Sequence, residues 1–174
     1  MYYSVIKDCD IANGPGVRVV LFVSGCRNHC EQCFQPETWA FDYGRPFTQQ
    51  TIEKIIQLLK PAYIRGLTLL GGEPFEPENQ PVLLDLVQQV RTAYGKTKDI
   101  WAFSGYVLEK ELLPQGETTR RLLQELDVLV DGRFVAAKKD LRLRFRGSSN
   151  QRLIDLPKTF AKGTVVLWDD TESV

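Results

Sequence analysis

The chain has 174 residues, 43% hydrophobic and 25% charged, and its 22 basic and 22 acidic side chains leave no net charge. That length suits one domain, 1–174, which buries roughly 70% of its unfolded surface. The balanced charge argues against a nucleic-acid-binding body, and no apolar run approaches the roughly 20 residues that cross a bilayer.

The N-terminus MYYSVIKDCD has no basic region followed by an apolar core. It does not read as a secretory signal, so a cytoplasmic location is expected. There, four cysteines point to metal, redox chemistry or a buried thiol rather than to disulfides. Residues 16–25, GVRVVLFVSG, form a valine-rich apolar run that predicts a strand buried on both faces. Thr48 is placed to cap a helix carrying Ile52, Ile55, Ile56 and Leu59 at helical spacing. Residues 66–74, GLTLLGGEP, are a short strand ending in a glycine pair. Residues 78–95 are a helix with Leu83, Leu86, Val87 and Val90 on one face and Gly95 past its end. A strand over 99–106, a helix over 118–126 and a strand over 127–135 follow. Stretches within 141–156 and 163–168 read as further short strands.

This alternation predicts an α/β fold with a parallel sheet and crossover helices. In such sheets ligands bind outside the carboxyl ends of the strands. Three cysteines follow the first strand, GGEP the second, SGY the third and DGR the fourth. Every unusual segment is therefore expected on one rim.

The segment SGCRNHCEQC holds Cys26, Cys30 and Cys33. Thiolates ligate both zinc and iron–sulfur clusters. Structural zinc needs four donors, and His29 or Cys9 would have to complete the set. Three thiolates on a cuboidal cluster leave one iron open. A redox pair of Cys30 and Cys33 is a third reading, although low-pKa cysteines of that kind usually sit at a helix N-terminus. In GGEP, adjacent glycines let backbone approach a ligand, and Glu73 offers a carboxylate to an ammonium. KKDLRLRFRG, with Lys138, Lys139, Arg142, Arg144 and Arg146, reads as a solvated face or a docking patch for a partner. Trp101 and Trp168 read as packing residues.

CRNHCEQC with GGEP one strand later resembles the radical S-adenosylmethionine enzymes. NGPGVRVVLFVSGC, the CF after it and Trp39 narrow the resemblance to the activating enzymes that install glycyl radicals. VDGRFV and RGSSNQ are most similar to those serving anaerobic ribonucleoside-triphosphate reductase. The resemblance runs from DIANGPG to RGSSNQ. It implies an incomplete, open TIM-like β/α barrel. It implies a 4Fe-4S cluster on Cys26, Cys30 and Cys33, with S-adenosyl-L-methionine on the fourth iron. Gly71, Gly72, Glu73 and Pro74 would meet the methionine amino group. Gln32, Cys33 and Phe34 would line the adenosine side, and Ser104 and Asp131 would make ribose or substrate-side contacts. The implied activity is that of an oxidoreductase: reductive cleavage of the cofactor to a 5′-deoxyadenosyl radical, then hydrogen abstraction from a glycine of the reductase. No side chain carries the radical chemistry. The implied partners are that glycyl radical enzyme and an electron donor such as flavodoxin, with no nucleic acid and no membrane. Two positions depart from the pattern: Gln32 stands where an aromatic is frequent, and Phe34–Gln35 stands for Tyr–Asn. The alternatives are an activase of the formate-lyase type and a zinc-stabilised partner-binding domain.

Overall fold

The computed structural model describes residues 1–169. Seven strands form one sheet: β1 (Tyr2–Asp10), β2 (Val17–Val23), β3 (Arg45–Pro46), β4 (Ile64–Gly71), β5 (Asp99–Phe103), β6 (Val128–Asp131) and β7 (Arg152–Asp155). Four α-helices accompany them: α1 (Gln49–Leu59), α2 (Gln80–Tyr94) and α3 (Glu117–Glu125) between strands and α4 (Leu156–Lys162) after β7. The spatial order is β3-β1-β2-β4-β5-β6-β7.

The expected parallel sheet is confined to the centre. β2, β4, β5 and β6 run parallel, whereas β1 and β3 on one side and β7 on the other pair antiparallel. The sheet is therefore mixed. The short connection from β1 to β2 permits a return strand but no crossover. β1 escapes sequence detection because β3 pairs with only Tyr2 and Tyr3 on its outer side, and its residues are mostly exposed or half-buried. At the other end, only Arg152–Asp155 of the expected terminal strands forms. Residues 156–162 are helical, capped by the Asp155 side chain on Lys158 N, and Leu167 makes an isolated bridge to Ile154.

The period of two along each strand sorts the core. Val19, Leu21 and Val23 of β2, Leu67 and Leu69 of β4, Ile100 and Ala102 of β5 and Leu129 of β6 join one apolar cluster with residues from all four helices. That side receives Ile52, Ile55 and Leu59 of α1 and Leu83, Leu86, Val87 and Val90 of α2. Thr48 caps α1 through a capping box with Thr51, and Gly95 ends α2 at φ 56°. On the opposite face, Trp101, Val128, Val130 and Leu153 form a smaller cluster with Phe103, Phe145 and Trp168. Arg18 is fully buried. It donates to the Thr68 hydroxyl at 2.7 Å and the Leu67 carbonyl at 2.9 Å, and it pairs with Asp99. Burial pushes its pKa down, against the opposing pull of Asp99. No helix of the described residues is long and apolar enough to cross a membrane.

Candidate active site

The helix-free face and the carboxyl ends of the parallel strands enclose a cavity of about 720 Å³. Cys26, Cys30 and Cys33 all line it, together with Gly71, Gly72, Glu73, Ser104 and Phe34. Residues from the exits of β2, β4, β5 and β6 thus meet in one place.

The backbone fixes how the cysteine segment meets the glycine pair. Gly72 N donates to Val23 O and Glu73 N to Gly25 O, both at 2.8 Å. Gly25 N reaches Thr38 O at 2.8 Å. A Cβ on Gly72 would lie 2.6 Å from Gly25 O and 2.9 Å from Thr38 O. The close approach that the glycine pair permits is therefore, at Gly72, an approach to protein backbone. Arg27 braces the loop: its N–H donates to buried Glu76 at 2.7 Å, its guanidinium bonds Glu76 and Glu78, and it lies over Phe41 at 4.4 Å. Asn79 donates from one side-chain nitrogen to Ser24 O and Glu73 O, each at 3.0 Å.

Glu73 is the hub. It is 1% exposed and accepts from four donors: Phe75 N at 3.0 Å, Ser104 Oγ at 2.9 Å, Gly105 N at 2.7 Å and Asn28 Nδ2 at 3.1 Å. Burial outweighs these donors and pushes its pKa up to about 7. Asn28 Oδ1 in turn accepts from Arg133 Nε at 2.9 Å, tying in the exit of β6.

Burial is also the main influence on two thiols. It pushes Cys26 up to about 11, with the charges of Glu73 and Glu76 adding to the rise, and it raises Cys30. A nucleophilic or redox-active cysteine needs the opposite shift. Metal ligation also takes the thiolate, and a metal bound there would itself displace these protons. Among the described residues, no three His, Cys, Asp or Glu side chains are grouped to hold one metal ion. Three thiols on one cavity wall are the donor type that a cuboidal iron–sulfur cluster takes.

Other residues singled out in the sequence fall elsewhere. Gln32 has φ 58° and is exposed, off the cavity wall. Phe34 sits at the rim, 77% exposed, with Phe134 6.0 Å away between ring centroids. Pro74 is buried behind the wall. Asp131 is buried but turned away: it pairs with Arg152 and accepts from Leu108 N at 2.9 Å. Its neighbour Gly132 lines the cavity instead. His29 stacks on Trp39 at 4.5 Å, and Cys9 is exposed on β1. Asn28, Arg27, Glu76 and Asn79 were not singled out from the sequence. Their one visible signal is position, inside the cysteine segment or just after GGEP.

A family model described as a 4Fe-4S single cluster domain matches residues 12–154. Anaerobic ribonucleoside-triphosphate reductase-activating proteins are similar along most of their length. That of Vibrio cholerae is 42% identical over 153 residues, covering 87% of this chain and 96% of the relative. That of Escherichia coli K12 is 43% identical over the same shares, and that of phage T4 is 41% identical over 88% of this chain and 93% of its own. The chain belongs to this family of activating proteins. The three cysteines and the Glu73 hub all lie within the residues that the 4Fe-4S model matches.

Proposed function

We propose that this chain, as one domain over 1–174, activates an anaerobic ribonucleoside-triphosphate reductase by generating the glycyl radical of that enzyme. The observation that carries the reading is the meeting of Cys26, Cys30 and Cys33 with the Gly71–Gly72–Glu73 segment on the wall of one cavity, in a member of this family. Cys26, Cys30 and Cys33 would hold a 4Fe-4S cluster with one iron left for the amino and carboxylate groups of S-adenosyl-L-methionine. When bound and reduced, that pair supplies a 5′-deoxyadenosyl radical able to take a hydrogen atom from a glycine Cα.

The protein's own residues bind, orient and exclude water. Glu73, with the backbone of Gly71 and Gly72 and with Pro74 behind them, forms the end of the cavity meant for an ammonium. An ammonium beside Glu73 favours its ionised form and opposes the effect of burial. Ser104 holds the Glu73 carboxylate in place and faces the ribose side. Cys33 and Phe34 border the adenosine side, with Phe34 as the aromatic surface in place of one at Gln32. Asp131 acts from behind the wall by fixing Arg152 and the turn at Leu108. In this reading the sheet is an open, incomplete TIM-like β/α barrel. Helices on one face and a cavity on the other support that description. The chain works in the cytoplasm with a low-potential donor such as flavodoxin.

The test is anaerobic reconstitution with iron and sulfide, followed by EPR of the reduced protein with and without S-adenosyl-L-methionine, then with the reductase. The reading expects a 4Fe-4S signal altered by the cofactor and a doublet on the reductase. Stoichiometric zinc in place of iron, or a cluster indifferent to the cofactor, would overturn it.

A further inference from the structure

The chain is neutral overall, yet residues 138–146 carry Lys138, Lys139, Arg142, Arg144 and Arg146 against one carboxylate, Asp140. This segment crosses the helix-free face as a strap. Its base is closed by a bridge between Lys139 and Ser148, by Ser149 N to Lys138 O at 2.9 Å and by Asp140 N to Gly147 O at 3.2 Å. The alternation LRLRFR survives without a strand. Leu143 and Phe145 turn inward to the cavity, where Phe145 meets Trp101 edge-on at 5.6 Å. Lys138, Lys139, Arg142 and Arg144 are exposed. At the tip, Leu141 is 88% exposed, and across the rim Phe34 lies under the Lys139 ammonium at 5.7 Å.

We propose that the outer face of this strap, centred on Lys138, Leu141 and Arg142, is the docking surface for an acidic face of the polypeptide whose glycine enters the cavity. The proposal rests on the activase reading above. An exposed apolar tip on a strap of net positive charge, with Arg142 held on Asp140, matches an apolar spot on an acidic face, and such complementarity steers encounter and fixes orientation. The net charge of zero means that the strap is a local basic segment and not part of a generally basic surface of the kind that tracks a long polyanion such as RNA. Leu141 and Phe34 are also too little apolar surface to hold the chain in a lipid layer. The strap's inner face is cavity wall, so a partner seated on the outer face is held beside the cavity mouth and helps to exclude water from it.

The experiment compares the cluster-loaded wild-type chain with Lys138→Glu/Leu141→Asp and with the conservative Lys138→Arg. Surface plasmon resonance reads binding to the reductase at low and at raised salt. Cofactor cleavage driven by dithionite without the reductase serves as the control. Wild type and Lys138→Arg are expected to bind alike, and more weakly as salt screens the charges. The double variant should bind at least about tenfold more weakly at low salt, mainly through slower association, with cleavage unchanged. Equal binding of wild type and double variant at both salts overturns the strap and leaves the activase reading standing. A loaded wild-type chain that binds no reductase overturns both. RNA or anionic vesicles captured by wild type and lost in the double variant, with reductase binding intact, assign the strap to a polyanion and overturn the proposal.

Discussion

Asn28, inside the cysteine segment, donates its side-chain amide to the Glu73 carboxylate at 3.1 Å, across the gap between the exits of β2 and β4. Its oxygen accepts from Arg133 at 2.9 Å, and a Cβ on Gly105 would collide with its amide nitrogen. One side chain on the exit of β2 thus reaches the exits of β4, β5 and β6. Gly105→Ala should destabilise the chain by about 1–3 kcal/mol through overpacking. In Asn28→Ala/Gly105→Ala the colliding amide is gone, so the double variant should lose less than the sum of the two single losses. Urea denaturation of all four proteins checks this, and strict additivity would sink the coupling.

Glu73 makes stability depend on pH in an unusual direction. Its ordinary value is 4.5, and in the folded chain burial lifts it to about 7. The folded state therefore holds this proton more tightly than the unfolded state. The associated stability is complete below about 4.5 and is lost as pH climbs through about 7. Glu73→Gln cannot ionise. The stability of the cofactor-free wild type relative to Glu73→Gln should fall steadily between these limits, by a few kcal/mol at most, because each tenfold difference in proton affinity is worth about 1.4 kcal/mol. Thermal melts of both proteins across that window decide it, and parallel curves would contradict the assignment.

Cys30 is half-buried and lines the cavity. Cys30→Ala should lose the bound cluster and all cofactor cleavage while keeping the far-ultraviolet circular dichroism of the wild type. Iron and sulfide analysis with product chromatography reads the outcome. Retained cleavage would remove Cys30 from the ligand set.

Gly72 touches the backbone of the cysteine segment, so its substitution should not act on the cofactor alone. Gly72→Ala pushes against Gly25 O and Thr38 O, next to Cys26. We expect a loss of about 1–3 kcal/mol together with reduced cluster content. A variant with full cluster content, normal stability and weakened cofactor binding would show instead that this glycine serves only the ligand.

The ion pair of Arg18 and Asp99 lies under the sheet, at the end remote from the cysteines. Asp99→Ala leaves a fully buried guanidinium without its carboxylate and should cost about 3–5 kcal/mol. Chemical denaturation measures it. A loss under about 1 kcal/mol would mean that water reaches Arg18.

Chain order carries much of the site because a residue just past a parallel strand lies at the rim by covalent connection. Cys26, Gly71, Gly72, Glu73 and Ser104 were legible for that reason. Asp131 shows the limit of the argument. It ends β6 two residues after Leu129, shares the helix-facing side with it, and so turns to Arg152 and Leu108 rather than into the cavity. β1 was hidden because its pairing with β2, rather than its own apolar content, holds it in the sheet. The strap kept the alternation of a strand but no strand partner along its length.

The sequence by itself determined the chemistry on offer: three thiols, a glycine pair with a carboxylate, and the strand order that brings them to one rim. These follow from residue type and from short stretches of chain. Only the tertiary structure decided which side chains face the cavity, that Glu73 is ringed by donors from three loops, and that Gly72 meets backbone. Those outcomes depend on residues far apart in sequence, whose burial and hydrogen bonds are satisfied only when the sheet is assembled.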